Sequence, residues 1–207
     1  LSLSRTWTEN MAIAVVNVRL PRILLACMVG CALSTAGAAY QGVFRNPMAA
    51  PDILGASSGA CFGAALAILL GRSGAEVTLS AFCFSLLTVG LVYLIGSRTQ
   101  GSQVVNILLA GVMVSSLFSA GTSYLKLVAD PSSQLPEITY WLMGSLSGAR
   151  HSDVRFAFFP LLLGLAPLFL LRWSMNLLTL DEEEAKTMGV NPNRLRLIVI
   201  LCATVLT

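Results

Sequence analysis

Gly55-Ala56-Ser57-Ser58-Gly59 matches the G-x-S-x-G pattern of a serine nucleophile. Such a hydroxyl attacks only with a base in hydrogen-bond reach, and the pattern usually supplies that geometry at a sharp strand-to-helix turn. No strand-like stretch precedes Gly55, and the single histidine, His151, lies far along the chain. An intramembrane serine protease dispenses with the strand, so Ser57 and Ser58 stand as candidates, although no spacing sets His151 against them. The other reactive side chains are no better organised. Cys27, Cys31, Cys61, Cys83 and Cys202 all lie in apolar runs. Cys27 and Cys31 share a helix face, but no histidine or carboxylate completes a metal set around them, and they read as small hydrophobes. No metal or cofactor is expected. A G-x-x-x-x-G-K-[ST] loop is absent from the sequence, so P-loop hydrolysis of ATP is not expected of this chain.

The elements that position these residues are apolar and long. Charged residues make up 11% of the 207, and 56% are hydrophobic; an ordinary globular domain carries about 25% charge. Segments 23–44, 53–71, 77–97, 99–125 and 156–171 hold no charge at all. About twenty helical residues cross the ~30 Å hydrocarbon core of a bilayer, and several such runs in one short chain cannot all be buried core. The sequence therefore predicts an all-α, polytopic transmembrane helical bundle. Helices are expected over about 20–44, 53–70, 77–95, 104–127 and 153–176, with Pro21 in the first turn of the first and Pro160 and Pro167 bending the last. Segment 138–148, interrupted by Gly144 and Gly148, suits a re-entrant or cavity-lining half-helix. Taken alone, 11–18 is too short to cross, and 197–207 is about half a span. The expectation is one transmembrane domain over 1–207, incomplete at both ends, with about five full spans and part of another.

Charge leaves the orientation open. On alternating sides the lysines and arginines divide seven against six, too even for the positive-inside rule. They form no patch that would bind nucleic acid. Gly55, Gly59 and Gly63 recur every four residues, a stripe that lets two helix backbones approach closely in lipid. Ala26, Gly30 and Ser34 make a similar stripe. In 44–60, Pro47 and Pro51 bar the residues before them from helical geometry, and Asn46 can hydrogen-bond the turn. Segment 179–191 carries full start and stop signals for a short amphipathic helix. Thr179 and Glu182 form a capping box, Asp181 to Glu184 suit a helix N-terminus, Glu182 and Lys186 are spaced to pair, and Gly189 and Pro192 stop the helix. No charged residue lies mid-span, so an ion relay through intramembrane carboxylates has little support. On residues alone, a secondary transporter or channel and an intramembrane protease remain rivals to any transport subunit.

Segment 19–60, "RLPRILLACMVGCALSTAGAAYQGVFRNPMAAPDILGASSGA", resembles the opening block of the FecCD-type permeases, the membrane subunits of ABC importers for iron-siderophores, haem and cobalamin. "ILLAGV" (107–112), "YWLMGSLSGA" (140–149) and "LLTLDEEEAKTMGV" (177–190) resemble that family in the same order. The resemblance implies the type II importer permease fold and a dimer, with a homodimer expected. It also implies two cytoplasmic ATPase subunits, an extracytoplasmic substrate-binding protein and a multi-pass place in a bacterial inner membrane. It puts 19–22 and 130–152 outside, and 45–51, 99–103 and 181–190 in the cytoplasm. Asn46 and Met48 then correspond to the inner gate, and Gln103, Val104 and Val105 to the second inner constriction, where the cobalamin permease has small hydroxyl residues instead of Val104 and Val105. Asp181, Glu182, Glu183, Glu184, Ala185 and Gly189 fall in the family's coupling helix (179–191), which seats in a groove of the ATPase. Arg19 and Arg22 match the outer arginines that receive glutamates of the binding protein. The implied cargo is a metal chelate, with ferric siderophore ahead of haem or cobalamin on family abundance alone.

Overall fold

Pro21 does not start a helix. In the computed structural model, which describes residues 8–72, 74–99, 102–178, 185, 187–189 and 191–207, the chain is helical from Glu9 through Phe44. It passes through α1 (Glu9–Ile13), a π-helical segment (Ala14–Arg19) and α2 (Leu20–Phe44). A proline ring inside a regular helix collides with the carbonyl four residues back. The wider π turn directly before Pro21 gives the ring room, so the helix runs on. Residues 11–18, too short alone, thereby join a 34-residue apolar helix, Met11–Phe44.

Six helices follow among the described residues: α3 (Ala56–Leu69), α4 (Ala75–Arg98), α5 (Gln103–Val128), α6 (Gln134–Met143), α7 (His151–Leu177) and α8 (Pro192–Leu206). Met11–Phe44, α4, α5 and α7 are long and apolar enough to cross a membrane, whereas α3 has only 14 residues, about 21 Å at 1.5 Å per residue. It starts at Ala56 rather than near Ile53 because Gly55 turns left-handed (φ 74°) and the Asp52 carboxylate accepts the Ser57 N–H at 2.7 Å. It ends in a Schellman arrangement: Gly71 (φ 72°) donates to Ile68 and Arg72 to Ala67, both at 2.9 Å. Pro160 and Pro167 lie within one continuous α7. Pro192 opens α8 with Asn191 as its cap, rather than merely stopping what precedes it.

The bundle has two packed groups. α3, α4 and α5 form one, α2, α7 and α8 the other, and α4 also touches α8. Tyr40, Val43, Leu54, Val89, Val92, Ile107, Val199 and Ile200 fill a core that both groups share. Ala64, Ile68, Val77, Leu125 and Ile138 form a smaller one under α6. Tyr40 is wholly buried and shares a hydrogen bond with the Thr204 hydroxyl at 3.1 Å, which satisfies two polar groups that lipid would not. Phe62 meets Phe84 and Phe118 edge to face, at 5.4 Å in each case. On α7, Phe156, Phe159, Leu170 and Trp173 are uncovered by protein, and the Arg172 guanidinium lies 4.4 Å over the Phe169 ring. An aliphatic stem laid along apolar surface with its charge held at a ring is how arginine sits at a membrane interface.

Candidate functional site

Hydrogen bonds sort the connections into two ends of the bundle. At one end, the Arg45 Nε–H donates to the Leu178 carbonyl (2.7 Å), Arg196 donates to the Gln103 carboxamide, and the Tyr93 hydroxyl reaches the Asn193 carbonyl (3.4 Å). At the other, Arg22 donates to the Leu146 and Ser147 carbonyls (3.3 and 2.8 Å), His151 Nε2 lies 3.0 Å from the Val16 carbonyl, and Gln134 donates to the Leu69 carbonyl (3.1 Å). Residues 45–55, the C-terminal ends of α4 and α7 and the N-terminal ends of α5 and α8 therefore share an end. The 130–151 region shares the other with Arg22 and the π segment.

The 45–55 turn is built from its own polar groups. Arg45 leaves α2 in the left-handed region (φ 50°), and the Asn46 N–H returns to the Gln41 carbonyl at 3.2 Å. The Asn46 side chain accepts the Met48 N–H at 2.9 Å, an Asx turn. The Asn46 backbone carbonyl accepts the Ala49 N–H at 3.1 Å. Ala49 is buried, while Met48 stands 84% exposed, so the turn presents the methionine outward from this chain. At the head of α5, Gln103 and Val104 are half-buried and Val105 is exposed. The two stretches share an end but are held by different partners, Leu178 for the first and Arg196 for the second.

A groove of about 560 Å³ opens between this turn and α5, lined by Asp52, Ile53, Ser58, Val112, Ser115, Ser116 and Ser119. Ser115 and Ser116 donate to the carbonyls one turn back, at 2.6 and 2.8 Å, which leaves their oxygens as acceptors. Its lining is one carboxylate, four serines and two apolar side chains, with no cation. Beside it the glycines act on two different faces. A Cβ on Gly59 would lie 2.8 Å from the Phe84 carbonyl, and one on Gly63 would lie 2.7 Å from the Ser80 carbonyl, both on α4. Gly55 faces Ser115 on α5 instead, and its left-handed backbone places it before the helix, off the stripe the spacing implied.

Asp181, Glu182, Glu183 and Glu184 lie outside the described residues, as does the capping box of Thr179 and Glu182. Ala185 is buried, and Gly189 is left-handed (φ 80°) with open space around it. At the opposite end Arg19 and Arg22 are exposed, and Arg22 is already engaged by the 146–147 carbonyls. Asp130 accepts from the Ser132 hydroxyl (2.7 Å) and from the Ser133 backbone (2.8 Å) and hydroxyl. These bonds, Ser132's foremost, hold its carboxyl below the usual carboxylate range. Ser57 and Ser58 sit at the 45–55 end and His151 at the other, so no Ser–His pair forms. No group of three or more His, Cys, Asp or Glu that could hold a metal occurs among the described residues.

The family model of the FecCD transport family matches residues 1–207. The chain belongs to the FecCD transport family. FecCD relatives include the molybdate import system permease of Haemophilus influenzae, 42% identical over 89% of this chain and 55% of that protein. A probable iron chelatin permease of Helicobacter pylori is 39% identical over 95% of this chain and 59% of its own length. The hemin permease of Yersinia pestis is 37% identical over 92% and 58%. The FecCD fold here superposes with a TM-score of 0.89, at 38% identity, on an inward-facing conformation of a protein assigned to the metal-chelate type of ABC transporter. The match covers all of this chain and 66% of that one. The chain thus spans a little over half the length of the curated relatives it matches. It is a multi-pass membrane protein.

Three residues at the 45–55 end escaped the sequence reading. In the sequence Arg45 is one turn residue among several, Asp52 has no cap signature because its partner is five residues on, and Arg196 is the edge of a polar stretch. Burial of Arg196 was foreshadowed only by its apolar neighbours Leu195 and Leu197.

Proposed function

We propose that this chain is the permease subunit of a binding-protein-dependent ABC importer, working as a homodimer with two ATPase subunits and performing no covalent chemistry. The observation that supports the reading is the superposition of all of this chain on 66% of a protein assigned to the metal-chelate type of ABC transporter. α5 and the 138–148 segment line the path, the 45–51 turn and the head of α5 narrow its inner mouth, and 179–191 transmits the ATPase stroke. Arg19 and Arg22 dock the binding protein. The cargo is a metal chelate or metal oxyanion, with ferric siderophore first. Relatives named for iron chelatin, hemin, cobalamin and molybdate mark that range. The groove beside the turn, lined by Asp52, serines and apolar groups, offers no cation that would hold an anionic cargo tightly.

The test is uptake by proteoliposomes holding the full permease with its ATPase and binding protein, offered ferric siderophore, haemin, cobalamin and molybdate in turn. ATP-dependent accumulation of one cargo, abolished without the ATPase, is expected. Uptake that follows an ion gradient without the ATPase would replace this reading by a secondary transporter.

A further inference from the structure

We propose that the backbone of the α6–α7 loop presets Arg22 to take a carboxylate of a docking protein end-on, so that docking fastens the 144–150 loop to α2. The inference rests on the permease reading above and deepens it: it names the chemistry of the outer docking contact and the element that this contact would stiffen.

One edge of the Arg22 guanidinium is already in use. Its Nε–H donates to the Leu146 carbonyl at 3.3 Å and its Nη2 to the Ser147 carbonyl at 2.8 Å. Those two nitrogens form one side of a planar fork of five N–H donors. Carbonyls on two adjacent loop residues therefore fix the plane of an exposed side chain that would otherwise sample many rotamers. The other side, Nη1 with the second Nη2 hydrogen, has no hydrogen-bond partner among the described residues. It matches the two oxygens of a carboxylate. Arg19, about one turn earlier and also exposed, adds a second positive charge. The partner that fits is an acidic protein surface.

A second bond pins the same loop, and Pro21 dictates it. The Leu20 N–H reaches back five residues to the Val15 carbonyl, and in that register the Val16 carbonyl looks to residue 21. Pro21 has no N–H to give. His151 supplies the donor: its Nε2 lies 3.0 Å from the Val16 carbonyl, which can only accept. His151 is the first residue of α7, so the loop is held at its end by Val16 and in its middle by Arg22.

Backwards, the loop leads into α6. Ile138 is fully buried in the smaller core, and Gln134 donates to the Leu69 carbonyl at the end of α3 at 3.1 Å. α6 and its loop thus bridge the α3–α5 group and α2 at this end of the bundle. A carboxylate that locks Arg22 in place stiffens that bridge.

The experiment uses the full permease–ATPase assembly in nanodiscs with its binding protein as the acidic partner. It reads affinity together with hydrogen–deuterium exchange over 144–150, where the amides of 147, 149 and 150 are hydrogen-bonded. In wild type, docking should slow exchange there about tenfold, the lower end of what one charge-assisted hydrogen bond is worth. Arg22→Lys keeps the charge but not the fork, so affinity should fall about tenfold and the slowing should vanish. His151→Phe leaves both arginines in place and should weaken binding about fivefold; His151→Gln, whose amide N–H can donate, should restore it. Lysine binding as tightly as arginine would make Arg22 a bare charge. That result, exchange that holds or rises on docking, or a His151→Phe variant that binds like wild type would each overturn the presetting while the permease reading stands. No association of the binding protein with wild type would instead count against the permease reading, and the presetting falls with it.

Discussion

Gly63→Ala tests how tightly α3 and α4 are closed, with Gly30→Ala as its control. Both glycines lie inside helices, so any gain in helix propensity, at most about 1 kcal/mol, cancels between the two variants. Their surroundings differ. A Cβ at Gly30 meets nothing within 4 Å, whereas one at Gly63 falls 2.7 Å from the Ser80 carbonyl and 2.8 Å from Phe84 Cβ. Neither of these is the far end of a flexible side chain, so relief requires the helices to part by roughly 0.5–1 Å. A gap of that size forfeits about a quarter to a half of each dispersion contact along the seam. The same displacement stretches the bond from the Ser80 hydroxyl to the Gly63 carbonyl, now 2.8 Å, which is worth about 1 kcal/mol. Overpacking of this kind costs about 1–3 kcal/mol, so Gly63→Ala should be less stable than Gly30→Ala by about that amount. The assay is reversible denaturation in mixed micelles, read by tryptophan fluorescence. Equal stability of the two variants would refute the close seam.

Further outcomes follow from the turn and loop geometry. Asp52→Ala should lower stability by about 1 kcal/mol through loss of the Ser57 N–H acceptor, and Asp52→Asn should lose much less. The protection of amides over 130–135, taken relative to their intrinsic exchange rate at each pH, should be flat from neutral pH to about 4 and then fall. The lowered Asp130 pKa stabilises the turn above the ordinary carboxylate value, and that stability disappears as pH falls through the lowered one. Asp130→Asn should abolish this pH step. Asn46→Ala with Met48→Ala should let a small solute leak from vesicles holding the dimer without ATP; tight vesicles would make 45–55 a mere turn. Arg19→Glu with Arg22→Glu should weaken binding-protein association, most at low salt, and association unchanged in a folded double variant would remove both from the docking site.

The long helices were legible because charge-free runs of twenty or so residues have one stable form in lipid. α2 ends at Phe44 as read, and α4 and α5 exceed their predicted spans by no more than three residues at either end. What failed locally had a local cause. Pro21 carries the same signal whether it begins a helix or follows a π turn, and only the backbone upstream decides. Gly55 shares the four-residue spacing of Gly59 and Gly63, yet its positive φ turns it toward α5. The links Arg45–Leu178 and Arg196–Gln103 join residues 133 and 93 positions apart, which no periodicity can announce. The acidic run from Asp181 to Glu184 remains a reading of the sequence.

The bond between Tyr40 and Thr204 spans 164 residues of chain, and that separation sets a schedule for making the protein. α3, α4 and α5 find their packing partners among one another as they emerge, but α2 packs on α7 and α8. At about 5–20 residues per second of synthesis, α2 waits on the order of ten to thirty seconds for Thr204 to appear. During that interval the Tyr40 hydroxyl must be satisfied by something other than its final partner, either interfacial water or the insertion machinery. A pause or truncation between α7 and α8 would leave α2 inserted but unclosed, with the side chains of Tyr40 and Val43 turned to lipid, which marks it for quality control before any cargo is met.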